Sequence, residues 1–280
     1  MKTTAFAGES TLSNWRARLE LGFEKRQDRT VLARRKRYGP LAVQRPFYPE
    51  AGTCHVYILH PPGGVVGGDE LSIEVTVDEG AKALLTTPGA SKYYRSNGAM
   101  ARQFVRLKVA GQLEWLPQEN ILFRGANLQQ KTQIDLRGDA RFIGAEIHCL
   151  GRPANGEIFD TGQANISMQL LQDGVPLQIE TSRISPGLGR EGPTNLRGYP
   201  VTGVAYATPV SRAQLIELRA SVTATGPGDY FALTLIDDLL IARFLGASTS
   251  RAQQRFIELW KQLRPLVLLR PACVPRIWNT

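Results

Sequence analysis

Short stretches in which apolar and polar residues alternate dominate the first two thirds of the chain. A period of two is typical of β-strands with one buried face, because successive side chains point to opposite faces. Gly, Pro and Asn residues, which favour turns, separate these stretches. The pattern predicts ten strands, at residues 17–24, 41–44, 54–59, 70–77, 82–87, 103–109, 112–115, 131–136, 141–150 and 165–171.

Glycine-containing turns connect several of the predicted strands. They are Glu79-Gly80, Ala110-Gly111, Arg137-Gly138-Asp139 and Asp173-Gly174. Such sequences form tight hairpins or arches, because glycine adopts backbone conformations that other residues avoid. We therefore expect consecutive strands to lie next to one another in space.

A helical period appears only near the C-terminus. Residues 211–222 are one candidate helix, which Ser211 can cap through its side-chain oxygen. Residues 248–263 are a stronger candidate, because their apolar residues form one stripe, and Pro265 is predicted to end the helix. We expect Trp260 in this stripe to pack into the core rather than to bind a ligand.

A hairpin is predicted between the two helices. Its strands are residues 230–235 and 239–245, and it turns at Asp237-Asp238. Taken together, the elements predict a mainly β fold, in which many short strands form a helical or stacked-sheet-like arrangement, with two α-helices towards the C-terminus. We expect one domain that spans residues 1–280.

Composition restricts the class of protein. With 280 residues, of which 42% are hydrophobic and 21% charged, the chain can bury a sizeable core. No apolar run reaches the roughly 18 residues of a membrane span. Residues 1–15 lack the basic, then apolar, then small-residue order of a secretory signal. The cysteines Cys54, Cys149 and Cys273 form no CxxC motif, which favours free thiols in a reducing compartment. These features predict a cytoplasmic protein without a membrane-spanning segment.

The net charge of +9 comes from the two ends of the chain, residues 1–60 and 201–280, and Arg34-Arg35-Lys36-Arg37 in the first of them forms a basic run. Such a run can bind nucleic acid, a membrane surface or an acidic protein. It can equally be the solvated edge of a sheet, where charges prevent aggregation. We favour the sheet edge, because no aromatic residues alternate with the charges as they do in single-strand binders.

The segment HPPGGVVGGD at residues 60–69 contains two prolines and four glycines and leads to the carboxylate of Asp69. Glycines of this kind allow close approach of the backbone to a partner, an ion or neighbouring main chain. The segment lacks the Gly-Lys-Ser/Thr ending of a phosphate loop, and Asp69 would repel phosphate. Two interpretations of Asp69 stay open, a functional carboxylate and a residue that holds a turn by accepting backbone hydrogen bonds.

The spacing of histidines and cysteines argues against a tight metal site. Cys54 and His60 share a face of an extended strand but lie about 20 Å apart, whereas His55 points the other way. His148 and Cys149 are neighbours in sequence and point to opposite faces. A closed site needs about four converging ligands, so we predict no tightly bound metal.

Three carboxylates leave open a weaker interaction with metal ions. Oxygen ligands at Asp69, Glu146 and Glu180 can bind a divalent ion and release it again. No GxSxG elbow or Cys/His pair marks an activated nucleophile, and the adjacent Ser91 and Lys92 project in different directions. We therefore predict no catalytic residue.

Several longer motifs resemble the UreD family, also called UreH. They are GPLAVQRPFYPE at residues 39–50, LHPPGGVVGGDEL at 59–71, TTPGASKYYRS at 86–96, LEWLPQENILFRGA at 113–126, CLGRPANGE at 149–157 and PRIWNT at 275–280. The motifs occur in the expected order and extend over nearly the whole chain.

The resemblance implies a non-catalytic factor in the maturation of urease. Its partners would be apo-urease, UreF and, through UreF, the GTPase UreG, with neither nucleic acid nor membrane involved. Nickel would pass through an internal channel of the chain, and GTP would be bound by UreG alone. No tightly bound cofactor is implied.

The resemblance also assigns roles to particular residues. The channel positions are Asp69, Ser91, Glu146 and Glu180, with transient nickel at the three carboxylates. The loops that carry the family motifs contribute His60, Pro61, Pro62, Gly63, Gly64, Gly67, Gly68, Lys92, Tyr94, Arg95, Gly151, Arg152 and Pro153.

Two other classes of protein explain fragments of the sequence. One is a cytosolic hydrolase that uses the loop at residues 63–69, and the other is a basic nucleic-acid-binding β protein that uses residues 34–37. Neither explains the remaining motifs.

Overall fold

A computed structural model of the chain describes residues 15–185, 192, 195–222 and 228–279. The segment on which the expectation about a secretory signal depends, residues 1–15, lies outside these residues except for Trp15. Within the described residues, the fold is mainly β with two α-helices, the second near the C-terminus, as the sequence predicts.

The strands, which we number in chain order, are short and evenly distributed. They are β1 (Arg16–Arg26), β2 (Arg29–Tyr38), β3 (Ala42–Val43), β4 (Cys54–Leu59), β5 (Glu70–Val77), β6 (Lys82–Thr86), β7 (Ser91–Tyr93), β8 (Ala101–Val109), β9 (Gln112–Leu116), β10 (Asn120–Leu122), β11 (Asn127–Leu136), β12 (Arg141–Arg152), β13 (Glu157–Ile158), β14 (Gln163–Gln172), β15 (Val175–Ile184), β16 (Val201–Thr208), β17 (Tyr230–Ile236) and β18 (Leu239–Gly246). The helices are α1 (Arg212–Ser221) and α2 (Thr249–Val267), and two 3₁₀ helices span Pro153–Asn155 and Arg276–Asn279.

The first sheet contains seven strands in the order β15-β14-β11-β8-β5-β1-β2. The strands from β14 to β1 run parallel, whereas the edge strands β2 and β15 pair antiparallel to their neighbours. Along β5, every second residue is buried, as the alternation in the sequence predicts. These residues, Leu71, Ile73, Val75 and Val77, belong to the core between the two sheets.

The second sheet contains eleven strands, with a main path of β17-β18-β16-β12-β9-β6-β4-β3. Strands β4, β6, β9 and β12 run parallel, and β16, β18 and β17 continue the sheet antiparallel. Side chains on both faces of this sheet are buried. On β12, Phe142 belongs to the core between the sheets, whereas Ile143 belongs to a second core beneath α1 and α2.

The parallel strands are arranged as stacked layers, because the chain alternates between the two sheets. The turns at Glu79-Gly80, Ala110-Gly111 and Gly138-Asp139 are arches that lead from β5, β8 and β11 to β6, β9 and β12 in the other sheet. The expectation that strands joined by these turns lie side by side is therefore wrong for these three pairs. At Gly111, a Cβ would collide with the carbonyl oxygens of Asp78 and Ala81 in the preceding layer, so the arches stack closely.

A true hairpin forms at two of the predicted positions. The turn at Asp173-Gly174 joins the antiparallel strands β14 and β15. The hairpin of β17 and β18 turns at Asp237-Asp238, as expected. Six strands within the described residues were not among those predicted: β2, β7, β10, β13, β15 and β16. Strands β7, β10 and β13 contain only two or three residues. Strands β2 and β15 are largely polar and exposed, and β16 is buried on both faces along its second half, so none of the three shows a clear alternation.

The basic run Arg34–Arg37 lies on β2, the edge strand of the first sheet, and all four side chains are exposed. This placement agrees with the interpretation as a charged sheet edge. Neither α1 nor α2, the helices within the described residues, is long and apolar enough to cross a membrane.

Helix α2 is attached to the second sheet by a buried ion pair. The guanidinium Nε of Arg264 lies 2.9 Å from Oε1 of Glu114 on β9, and both side chains are fully buried. Trp260, which is 2% exposed, donates a hydrogen bond of 2.7 Å to the same carboxylate. The expectation that Trp260 packs into the core is correct, and its indole N–H also has a polar partner.

The prediction that Pro265 ends helix α2 is wrong, since the helix continues to Val267. Proline lacks a backbone N–H, which weakens the helix at this point. The last turn is nevertheless stabilised, because Val267 and Leu268 are buried against the sheet and the Leu268 N–H donates to the carbonyl oxygen of Arg264.

Candidate functional site

Two cavities lie between the sheets. The first, which we call the loop cavity, has a volume of about 80 Å³ and is lined by His60, Gly63, Ser91, Gln103, Gln130 and Glu146 among others. The second, which we call the edge cavity, has a volume of about 610 Å³ and is lined by Glu146, His148, Met168, Glu180, Tyr206 and Arg243 among others. Glu146 lines both cavities and therefore lies where they meet.

Strand β12 positions Glu146. On this strand Phe142, Glu146 and Leu150 project between the sheets, because residues at even spacing share a face. The opposite strand β11 contributes two hydrogen bonds to the carboxylate, 2.7 Å from Thr132 Oγ1 and 3.1 Å from Gln130 Nε2. Burial raises the pKa of Glu146 to about 7, although the hydrogen bond from Thr132 opposes this shift.

His148 lies two residues along the same strand and also lines the edge cavity. Its Nε2 lies 3.0 Å from the amide oxygen of Gln130 and 3.5 Å from Nδ2 of Asn120. Burial lowers the pKa of His148 to about 4, so the imidazole is neutral at neutral pH. Cys149 belongs to the core beneath the helices, so His148 and Cys149 do point to opposite faces, as the sequence predicts.

Glu180 lies on the edge strand β15 and has a charged partner. Both carboxylate oxygens accept hydrogen bonds from Arg243, at 2.6 and 2.8 Å, and the Tyr206 hydroxyl donates a third at 3.1 Å. Burial alone would raise the pKa of Glu180, but the hydrogen bonds and charge of Arg243 outweigh burial and lower it. This side of the edge cavity therefore has an ion pair, whereas the carboxyl of Glu146 is surrounded by neutral groups.

Asp69 lies beneath the glycine-rich loop and does not line either cavity. Its carboxylate accepts backbone hydrogen bonds from Val66, at 3.0 Å, and from Trp15, at 3.1 Å. These contacts support the interpretation of Asp69 as a residue that holds a turn and fixes the start of β1. Its charge also acts on His60, whose pKa is lowered by burial and raised in part by Asp69.

The loops that carry the sequence motifs meet at one end of the second sheet. Val65 donates to the Lys92 carbonyl at 2.7 Å, and Tyr94 donates to the Val65 carbonyl at 2.9 Å. A Cβ at Gly64 would collide with the ring of Tyr94, which explains glycine at this position. The Ser91 side chain lines the loop cavity beside this contact.

The motif that begins at the end of β12 lies at the same end of the molecule. Gly151 has a φ of 83°, a conformation that favours glycine. Arg152 lies over the Phe123 ring at 4.5 Å and forms an ion pair of 2.5 Å with Glu157. Pro153 begins the short 3₁₀ helix that follows. These contacts are structural, and the three residues Gly151, Arg152 and Pro153 do not line the loop cavity.

Sequence reasoning missed the neutral polar residues of the two cavities. Gln130 and Thr132 are 1% and 4% exposed and occupy inward positions of β11, between the apolar residues Leu128 and Ile134. In an alternating strand, polar residues at positions where apolar ones are expected indicate a polar site in the interior, and this pattern is visible in the sequence. Tyr206 had no comparable signal, because it lies in an unpredicted strand.

The cysteines lie apart from the cavities. All three are free, and burial raises the pKa of Cys54 and Cys149 to about 11. Within the described residues, no group of three or more His, Cys, Asp or Glu side chains is placed to hold a metal ion. A cation in either cavity would therefore meet few ligands at a time.

Comparison with known proteins places the chain in a family. It matches the sequence model of the family described as UreD urease accessory protein over residues 16–279. It is 44% identical to the urease accessory protein UreD of Alcanivorax borkumensis, over 95% of this chain and 92% of that relative. The corresponding proteins of Methylobacillus flagellatus and Azoarcus sp. are 42% and 43% identical over 100% and 95% of this chain and over 98% and 94% of those relatives. The chain therefore belongs to the UreD family of urease accessory proteins.

Proposed function

We propose that the chain is a non-catalytic, cytoplasmic maturation factor that guides nickel through its interior to apo-urease. The observation that carries this proposal is the position of Glu146 on the wall of both cavities. Nickel enters one cavity, passes the carboxylate and leaves through the other. A single carboxylate at this junction contacts every ion that takes the route.

The ligands along this route suit a cargo rather than a resident metal. Desolvating a divalent ion without anionic partners is costly, so a conduit needs negative charge or oxygen donors at intervals. Glu146 offers a carboxylate, and Gln130, Thr132 and Ser91 offer neutral oxygens. Few ligands at each point bind the ion weakly, and weak binding permits release at the far end.

The ion pair of Glu180 and Arg243 gives the edge cavity a different electrostatic character. Arg243 compensates the charge of the Glu180 carboxylate, so the pair adds little net charge to the cavity wall. A cation is therefore attracted to Glu180 only if Arg243 moves away or a partner protein engages it. We propose that this pair marks the end of the route that faces a partner.

The partners follow from this role. A conduit needs a donor of nickel at one end and an acceptor at the other, and we propose UreG, attached through UreF, as donor and apo-urease as acceptor. We assign the binding and hydrolysis of GTP to UreG. The glycine-rich loop of this chain has no lysine that could bind phosphate, and its Asp69 carboxylate is held by backbone amides. Because the Asp69 carboxylate already accepts two backbone hydrogen bonds, it gives no support to a hydrolase that uses this loop.

Activation of urease by a reconstituted complex tests the proposal. The substitution Glu146→Gln keeps the size of the side chain and removes its charge. We expect the rate of nickel-dependent activation to fall by about tenfold, the order typical of changes next to a metal path. Glu217→Gln is the matched control, because Glu217 is exposed on α1 and far from the cavities.

The yield of the complex must be measured beside the rate. Equal yields for the Glu146 and Glu217 variants, with slower activation only for the Glu146 variant, support transit past this carboxylate. Activation by Glu146→Gln at the rate of wild type would reject the proposed route.

A further inference from the structure

The wall of the loop cavity contains a hydrogen-bond donor that has no protein partner. Trp115 on β9 lines this cavity and is 4% exposed. Its indole Nε1 is buried and has no hydrogen-bond partner among the described residues. A buried N–H group destabilises the fold unless a water molecule or a ligand accepts its hydrogen bond. The second sheet therefore offers the cavity one unpaired donor.

Gln103 on β8 offers further donors from the first sheet. Its side-chain Oε1 accepts a hydrogen bond from the Tyr93 hydroxyl. The Nε2 group of the same amide has no partner in the part of the chain that the structure describes. Trp115 and Gln103 lie on different sheets and line the same small cavity. A small acceptor inside the cavity can therefore receive hydrogen bonds from both walls.

The charges around the loop cavity favour a negatively charged acceptor. Lys92 lines the cavity, is exposed and forms no ion pair with a carboxylate within the described residues. Glu146 is the one acidic residue among those that line the cavity, and burial raises its pKa to about 7, so it is partly protonated at neutral pH. Unpaired N–H groups also present the positive ends of their dipoles, which attract anions.

We propose that the loop cavity binds one small inorganic anion, such as chloride, through the indole N–H of Trp115 and the amide of Gln103. This inference rests on the proposed function, because the anion supplies negative charge to a divalent cation that passes Glu146. Glu180 does not supply it, since Arg243 already compensates its charge. A buried charge is costly unless it is paired, so the anion lowers the cost of moving the cation through the interior.

Chloride NMR spectroscopy of the full-length chain tests the inference. Chloride that exchanges between solvent and a protein site acquires the slow tumbling of the protein, so its resonance broadens with the fraction bound. Titration with sodium chloride, at an ionic strength held constant by the larger anion gluconate, gives the Kd. We expect saturable broadening in wild type. The Kd should be about tenfold higher in Trp115→Phe, because this variant keeps an aromatic ring and loses a hydrogen bond to a charged group.

Trp278→Phe is the matched control, because the Trp278 indole donates to Thr86 Oγ1 at 2.9 Å and lines neither cavity. It should bind chloride with the Kd of wild type. Gln103→Leu removes the donors of the opposite wall and should also weaken binding. Broadening that does not saturate, or that is equal in wild type, Trp115→Phe and Gln103→Leu, would assign the chloride to surface side chains and leave only water in the cavity. Either result would overturn the inference.

The outcomes separate this inference from the proposed function. If chloride binding depends on Trp115 but Glu146→Gln activates urease normally, the anion site exists and transit past Glu146 is wrong. If no saturable binding is found but Glu146→Gln still slows activation, transit stands and the loop cavity holds no anion.

Discussion

The carboxyl group of Glu146 lies among neutral side chains, and this environment determines its charge. Its hydrogen-bond partners are Thr132 and Gln130, and its pKa is raised from 4.5 to about 7 by burial. A raised pKa means that the folded protein retains a proton that the unfolded chain releases. Below about pH 4.5 the group has no effect on stability, and above pH 7 its burial as an anion destabilises the fold.

The raised pKa of Glu146 determines how the stability of the protein changes with pH. As the pH rises from about 4.5 through 7, wild type should lose stability relative to Glu146→Gln. One pKa unit corresponds to about 1.4 kcal/mol, and water in the cavity reduces the full effect, so we expect a difference of about 2 kcal/mol at pH 8. Urea unfolding at pH 5 and pH 8 measures it, with Glu217→Gln as control. Equal changes for all three proteins would contradict the prediction.

The carboxylate of Asp69 belongs to a family motif, and its contacts give it a structural role in the fold. Its two oxygens hold the backbone of Val66 and Trp15, and it lines neither cavity. The sequence left a functional carboxylate and a turn residue open, and the contacts favour the turn. Its importance for nickel delivery would then be indirect, through the loop that frames the loop cavity.

We therefore expect Asp69→Ala to destabilise the fold by about 1 to 3 kcal/mol, because it removes two hydrogen bonds from partly buried N–H groups to a charged acceptor. The yield of the complex should fall together with urease activation. Asp69→Asn retains one oxygen acceptor and should recover part of the stability. Urea unfolding and the yield of purified complex are the measurements. A stable Asp69→Ala protein that assembles fully and fails only in activation would instead show a role in transit.

Helix α2 is the element that most depends on a buried charge. Arg264 is fully buried and contacts Glu114 on β9, also fully buried, and Glu50 in the loop before β4. Removing one member of a buried ion pair weakens the compensation of the other. Glu114 would keep Arg270, whose Nη2 lies 3.0 Å from its Oε2. The helix covers the second core, so its attachment affects the whole second sheet.

Arg264→Met should therefore lower the free energy of unfolding by about 3 to 5 kcal/mol. The double variant Arg264→Met with Glu114→Gln should restore only part of this loss, because it removes the carboxylate on β9 and also leaves Arg270 without that partner. Lys261→Met, an exposed position of the same helix, is the control. A loss below about 1 kcal/mol for Arg264→Met would show that the ion pair does not hold the helix.

Elements with regular patterns were predictable, whereas the sequence did not distinguish hairpin connections from arches. The alternation in β5 and the apolar stripe of α2 are visible in the sequence because each element has one buried face. The arches at Gly80 and Gly111 have the same local composition as hairpins, and only the stacking of layers distinguishes them. Pro265 was misleading because burial of Val267 stabilises the last turn of the helix.

At the scale of the whole molecule, the sequence indicated carboxylates at Glu146 and Glu180 but not the space between the sheets that connects them. Cavities arise from the separation of two sheets and the side chains that fail to fill it, which no local pattern records. Gln130 lines the loop cavity and Arg243 lines the edge cavity, and they lie on strands that are distant in sequence. Transit of nickel through this interior is the central claim.

A removable block in the edge cavity tests that claim most directly. Thr202 lines the edge cavity on β16, and Thr202→Cys can be modified by an uncharged methanethiosulfonate reagent after Cys273→Ser removes the half-buried native thiol. Cys54 and Cys149 are buried with raised pKa values, so they react slowly. Asn165→Cys, exposed on β14, is the control.

The measurement is the rate of nickel-dependent urease activation by the assembled complex before modification, after it, and after a reductant removes the label. Transit through the interior predicts that modification at position 202 stops activation, that the reductant restores it, and that modification at position 165 has no effect. Unchanged activation with the label at position 202 confirmed by mass spectrometry would show that nickel does not pass through the edge cavity.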